Sequence, residues 1–163
     1  MSAGFDSVLT LLAGAGVEFV LVGGLAGTAH GAARATFDVD IVYARNPRNL
    51  QRLVEALAPH RPALRGAPAG LPFRLDIESL RNGLNFTLAM DLGALDLLGE
   101  IAGGGNYEAL LPDTVELDLF GNVIRCLTLQ KLIEVKRAAG RPKDLEAIAE
   151  LEALRAERDG RRE

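Results

Sequence analysis

Apolar positions along the chain change their period several times, and each change marks an element. Phe5, Val8, Leu9, Leu11 and Leu12 recur at near-helical spacing and predict a core-facing helix over 5–13, closed by Gly14 and Gly16. Phe19–Val22 is a continuous apolar run rich in β-branched residues, stopped by Gly23-Gly24, which predicts a buried strand ending in a tight turn. A short helix over 25–30 follows. At 38–42 two acids alternate with apolar residues at period two, so both carboxylates point to one face of a strand. Pro47 opens an amphipathic helix with Leu50, Leu53, Val54 and Leu57 on one side, ending near Pro59-His60. Residues 61–72 hold three of the seven prolines and read as a surface loop able to shape a substrate entrance.

Short strands follow at 73–77, 84–90 and 94–98, the last two joined by a turn at Asp91-Leu92-Gly93. The run Gly103-Gly104-Gly105-Asn106 reads as a loop with no helix directly after it. Segments 115–120 and 123–127 flank Gly121-Asn122 as a β-hairpin. Thr128 then caps a helix with Leu129, Leu132, Ile133 and Val135 on its inner side and Lys131, Lys136 and Arg137 among its polar positions. That helix breaks at Gly140-Arg141-Pro142, and Asp144 starts a last helix over 145–158. The expected fold is therefore α/β (α+β), one domain over 1–163. Its mixed, mostly antiparallel twisted sheet carries the acids on one face near its edge. Helices pack behind it, the C-terminal pair over 128–158, and 159–163 form a frayed tail.

Composition narrows the function. With 163 residues, 48% apolar and 25% charged, the chain can bury one core and does not read as disordered. No apolar run approaches the ~20 residues of a membrane span, and the N-terminus lacks the basic and apolar regions of a secretory signal. The single cysteine, Cys126, lies in an apolar strand pattern and reads as a reduced core residue of a cytoplasmic protein. A net charge of −4 argues against a protein that coats nucleic acid, yet half of the 18 basic residues lie from Lys131 onward and give a local surface for phosphates. His30 and His60 have no metal-ligand spacing, and tryptophan is absent, so neither a zinc site nor a stacking platform is indicated.

Two patterns carry chemistry. A glycine pair between a strand and a helix exposes backbone N–H groups at the positive end of the helix dipole, where a phosphate is favoured. Two carboxylates on one strand face repel unless a cation lies between them, and Mg²⁺ suits such a pair because it completes its octahedron with water and substrate phosphates. Each has a plainer reading, a simple turn for Gly23-Gly24 and a solvated strand face for Asp38 and Asp40. Together they form the arrangement that holds a nucleoside triphosphate through its phosphates and its metal.

Gly23-Gly24 followed by Arg34-x-Thr36-x-Asp38-x-Asp40 and an apolar residue resembles the signature of the DNA polymerase β-like nucleotidyltransferase superfamily, in its minimal single-domain branch. That branch is similar to toxin–antitoxin and abortive-infection (AbiEii-type) nucleotidyltransferases. The strand over 95–101 and the segment 132–145 extend the resemblance over most of the chain. It implies metal-dependent transfer of a nucleoside monophosphate from a triphosphate such as ATP to a hydroxyl of a protein or RNA, with release of pyrophosphate. Asp38, Asp40 and Asp96 would be the catalytic and metal-binding acids, holding two Mg²⁺ ions, or Mn²⁺ in their place, about 4 Å apart. Asp96 would accept the proton of the attacking hydroxyl, with Asp91 and Glu100 as rivals for that role. Gly23, Gly24, Arg34, Thr36 and Lys136 would bind nucleotide. Many members carry serine after the first glycine, whereas this chain has Gly24 and keeps only backbone donors there. The implied partners are a HEPN-type toxin or transfer RNA, with no membrane and with a homo-oligomer allowed. A rival reading is a non-catalytic, antitoxin-like module that masks a partner and retains the acids as a vestige. The intact set of three acids favours the enzyme.

Overall fold

Four consecutive apolar residues can be satisfied only by a strand covered on both faces, and β1 (Phe19–Val22) is buried along its whole length. In the computed structural model, which describes residues 4–33, 38–68 and 72–162, β1 lies between β2 (Asp38–Tyr43), antiparallel to it, and β9 (Asn122–Leu127), parallel to it. Four further strands complete the sheet around them. β3 (Ala63–Leu64), β4 (Phe86–Met90) and β5 (Gly93–Leu98) extend the sheet on one side and β8 (Thr114–Leu119) on the other, in the order β3-β4-β5-β2-β1-β9-β8. Only the β2–β5 and β1–β9 neighbours are parallel, so the sheet is mixed and mostly antiparallel as expected. A separate two-stranded ladder joins β6 (Glu100–Ile101) to β7 (Gly105–Asn106).

The acids do not lie near the sheet's edge. β2 is the fourth of seven strands, with β5 beside it, because β3 and β4 add on outside β5 and the C-terminal hairpin adds on outside β1. Other local expectations shift for identifiable reasons. Residues 73–77 do not form a strand: Asp76 and Ser79 make a reciprocal capping box, with the Ser79 N–H donating to Asp76 Oδ1 at 2.8 Å, and α4 (Ile77–Asn82) starts there. The glycine run is followed directly by a one-turn helix, α5 (Tyr107–Leu110), capped by Asn106. The hairpin turns at Phe120-Gly121, one residue earlier than Gly121-Asn122, and both residues have positive φ (54° and 80°), the geometry of a tight twist-matched turn.

Helices cover the sheet with the faces that periodicity predicts. α1 (Phe5–Gly14) buries Val8, Leu9 and Leu12. α3 (Pro47–Leu57) starts with proline, is capped by Asn46 and buries Leu50, Leu53 and Leu57. α6 (Leu129–Ala139) is capped by Thr128, which accepts the Lys131 N–H at 3.1 Å, and ends on left-handed Gly140. α7 is longer at both ends than the sequence pattern indicates, running Pro142–Arg162, and it buries Ile148 and Leu151 in the same core. Cys126 is fully buried in β9, and burial pushes its thiol up to about 12, so it behaves as a small core residue. Among the described residues no helix is long and apolar enough to cross a membrane.

One buried polar side chain fixes the strand that carries Asp38 and Asp40 to its neighbour β1. Asn49, fully buried on α3, accepts the Glu18 N–H at 2.7 Å and donates through Nδ2 to the Glu18 and Ala44 carbonyls at 3.0 and 2.7 Å. It thus joins the entrance of β1 to the exit of β2. We expect Asn49→Ala to lower stability by about 2 kcal/mol, because the Glu18 N–H and the Ala44 carbonyl lose their Asn49 partner and the Glu18 carbonyl keeps only the Ala44 N–H. Urea denaturation checks this; an unchanged midpoint would remove Asn49 from the account.

Candidate active site

The parallel pairing of β2 and β5 sets Asp40 opposite Asp96, with Val39 opposite Leu95 and Ile41 opposite Leu97. Paired residues of neighbouring strands share a face, so the apolar pairs fill the core while Asp38, Asp40 and Asp96 stand together on the other side. Asp96 is therefore the third acid of the group. Asp91 instead forms an ion pair with His60 at 3.3 Å, and Glu100 is exposed on β6. Burial, the neighbouring Asp96 carboxylate and a hydrogen bond shared with it, together with Asp38, push the Asp40 carboxyl up to about 7. One of its oxygens, Oδ1, is buried with no hydrogen-bond partner among the described residues.

Gly23 makes this crowding geometrically feasible. β1 and β2 pair Val22 with Asp40, and the chain turns at Gly23 with φ of 73° straight into α2 (Gly23–Ala29), with no intervening turn residues. A Cβ on Gly23 would stand 2.2 Å from Asp40 Oδ2, so glycine is required both by conformation and by the carboxylate. Val22, the residue before α2, offers no side-chain cap, and the first N–H groups of the helix have no intrahelical partner. Arg34 and Thr36 lie outside the described residues.

Two basic elements that periodicity did not mark as functional reach the acids. Arg65, just past β3 in the stretch expected to be a loop, donates from Nη2 to Asp96 Oδ1 at 2.6 Å, and its Nη1 lies 3.7 Å from Asp38 Oδ1. No sequence signal separates Arg65 from other surface arginines; only the pairing of β3 with β4 brings it there. The second element is a cluster at the α6–α7 junction. Asp144, 2% exposed, accepts the Arg141 backbone N–H at 3.1 Å and its guanidinium at 2.7 and 3.2 Å, and lies 4.0 Å from Lys136 Nζ. The hydrogen bonds from Arg141 hold Asp144 below the usual carboxylate range, while burial pulls Lys136 below the usual lysine range and Asp144 opposes that pull. Asp144 does not start the helix as the sequence indicates: α7 begins at Pro142, and from the first turn the Asp144 carboxylate reaches back to the Arg141 N–H and collects two cations.

A cavity of about 290 Å³ is lined by Gly23 and Gly24, by the acids Asp38, Asp40 and Asp144 and by Lys136 and Arg141. A neighbouring cavity of about 210 Å³ shares Asp40, Lys136 and Arg141 but has apolar walls from Leu98, Ile101, Leu132 and Val135. Acids and cations lining one space suit a ligand that is itself both anionic and metal-bearing. The oxygen-only donor set and the orphaned Asp40 Oδ1 fit a hard divalent cation. Among the described residues, however, no three His, Cys, Asp or Glu side chains form a ready-made cage, and Asp96 and Asp38 are engaged by Arg65.

No protein-family model matches the chain, and no curated protein sequence does. Solved structures do match its architecture. The lincosamide antibiotic adenylyltransferase LnuA, in its lincomycin-bound crystal structure, superposes with a TM-score of 0.58 at 16% identity, over 91% of this chain and 94% of that one. The solution structure of the antibiotic-resistance factor ANT(2'')-Ia superposes with a TM-score of 0.52 at 16% identity, over 94% of this chain and 88% of that one. The chain thus has a nucleotidyltransferase-type fold, shared along nearly its whole length.

Two outcomes follow from the geometry around Asp40. In EDTA, Asp40→Asn should raise the melting temperature by about 3 °C or more at pH 8, since a carboxyl raised to about 7 destabilises the fold once ionised. The sign is fixed by linkage: the native stability is greatest below the unfolded value of 3.8 and is lost as pH rises toward 7, so the advantage of Asn shrinks on acidification. A gap that is constant with pH would contradict the assigned burial. Gly23→Ala should lower the melting temperature in the same assay through strained φ and displacement of Asp40; a neutral result would mean the β1–α2 junction has room to spare.

Proposed function

We propose that the protein is a metal-dependent nucleotidyltransferase that moves a nucleoside monophosphate from a nucleoside triphosphate to an acceptor hydroxyl. The observation that carries this reading is one cavity lined by both Asp38 and Asp40 and by Lys136, Arg141 and Lys143, at the start of α2, with Asp96 paired opposite Asp40 on the neighbouring strand. A triphosphate needs both signs of charge: cations and backbone N–H groups for its phosphate oxygens, and acids for the Mg²⁺ that accompanies it. Asp38 and Asp40 would hold Mg²⁺, or Mn²⁺ in its place, with Asp96 completing the set; the bound metal would polarise the phosphate and neutralise developing charge.

The chain's own residues account for the remaining steps. Lys136 and Arg141, positioned by Asp144, bind the β- and γ-phosphates together with the Gly23 and Gly24 backbone. The acceptor hydroxyl oxygen attacks the α-phosphorus in line, forming one P–O bond as the bond to the bridging oxygen breaks. Pyrophosphate leaves with that electron pair, and Asp96 takes the hydroxyl proton. The apolar cavity beside Asp40 offers room for the base or for a flat part of the acceptor.

ATP is the first donor to test, because one protein sharing the fold is named an adenylyltransferase. For the acceptor, the names of the fold neighbours favour a small hydroxylated molecule of the antibiotic kind. The sequence resemblance favours a hydroxyl on a protein such as a HEPN-type toxin, or on transfer RNA, in a toxin–antitoxin setting. Incubation with α-labelled ATP separates these, since the label moves to a small product in one case and to a macromolecule in the other.

The role of Asp96 gives the sharpest mutational test. Asp96→Asn should leave MgATP binding within about threefold of the native protein and reduce acceptor-dependent pyrophosphate release by about 100-fold or more. Calorimetry and a coupled pyrophosphate assay measure the two quantities. Retained turnover would transfer the base role to another group.

A further inference from the structure

Arg65 has no place in the reaction as just described, yet it touches the two acids that flank Asp40. Its Nη2 donates to Asp96 Oδ1 at 2.6 Å and its Nη1 lies 3.7 Å from Asp38 Oδ1, so one guanidinium spans both carboxylates. That is the electrostatic position a divalent cation needs. We propose that Arg65 is a resident competing cation, which neutralises the acidic face in the metal-free protein and must withdraw before Mg²⁺ binds. The inference rests on the metal-dependent reading above.

Three features of the contact support displacement over a permanent role. The engagement is incomplete: among the described residues Nη1 is buried without a hydrogen-bond partner, and its approach to Asp38 is a charge contact, where a fully satisfied fork would make two short hydrogen bonds. Arg65 also follows the two-residue edge strand β3, the least supported part of the sheet. Its backbone is nonetheless fixed, with the Arg65 N–H donating to Thr87 O at 2.9 Å, so the change required is a swing of the side chain and not a movement of the strand. The Arg65 side chain as a whole is one-third exposed, so solvent lies beside it. Asp96 gains most from its departure, since the oxygen that Arg65 holds is one that must be free to accept a proton.

A positive charge competing for the same carboxylates lowers metal affinity, whereas a residue that merely props the acids in place raises it. Mn²⁺ binding to the metal-free full-length protein, followed by electron paramagnetic resonance without nucleotide, distinguishes the two. We expect Arg65→Ala to bind Mn²⁺ about tenfold more tightly than the native chain. Arg65→Gln should do so too, guarding against a packing defect, and Arg65→Lys should stay close to native. Affinity that is unchanged or weaker in both neutral variants, with native binding intact, overturns the competing-cation role and leaves the metal reading standing. Absence of Mn²⁺ binding in every form overturns the metal reading and this inference with it. Metal-free Arg65→Ala should also melt below the native protein and recover on addition of Mn²⁺; recovery in Asp40→Asn/Arg65→Ala as well would place the metal elsewhere and overturn the proposal.

Discussion

A carboxylate buried on an interior strand is the constraint around which this structure is arranged. Asp40 cannot move outward, because β2 is held on one side by β1 and on the other by β5, and its apolar neighbours Val39 and Ile41 are locked into the core. It cannot be given more room from above, because Gly23 already yields every atom it can. Low dielectric and the proximity of Asp96 make ionisation of Asp40 costly until a cation arrives. The fold thus stores a demand for positive charge at one point, and Arg65, Lys136 and Arg141 are distributed around that point at different distances. In the metal-free chain Arg65 meets the demand in part.

The C-terminal helices acquire a role from the same constraint. α6 and α7 form a tight pair, and their junction carries Asp144, whose buried carboxylate orients Arg141 and stands beside Lys136. A buried acid that gathers cations beside a cavity that other acids also line brings both signs of charge to one space.

What the sequence revealed divides along the same physical line. β1, β2, α3, α6 and the β8–β9 hairpin were legible because each is specified by a local signal: a β-branched run, a period of two or 3.6, a capping residue, a turn pair. The short strand β3 and the helix α4 were misread because they depend on a partner strand and on a reciprocal cap that proline-rich or apolar composition disguises. Strand order was not legible, since it is set by crossovers, and that is why the acids proved to be central when an edge position was expected. For the site, Asp38 and Asp40 announced themselves by spacing. Asp96 was singled out by the family resemblance. Arg65 left no trace, because its position is the product of a β3–β4 pairing distant from the acids in sequence. Gly23 was legible as a glycine of a turn, but its closeness to Asp40 is visible only in three dimensions.

The central claim is that the acidic and cationic groups together hold a metal-bound triphosphate. Thermal unfolding of the purified protein with each of the four nucleoside triphosphates, with and without Mg²⁺, tests it most directly. Ligand at ~100 times its dissociation constant adds about 2.7 kcal/mol to stability, a shift well within reach of the measurement. The account predicts a Mg²⁺-dependent rise in melting temperature with at least one triphosphate in the native chain and none in Asp40→Asn. An equal rise in both, or no rise with any nucleotide, would contradict it and return weight to a module that acts by covering a partner.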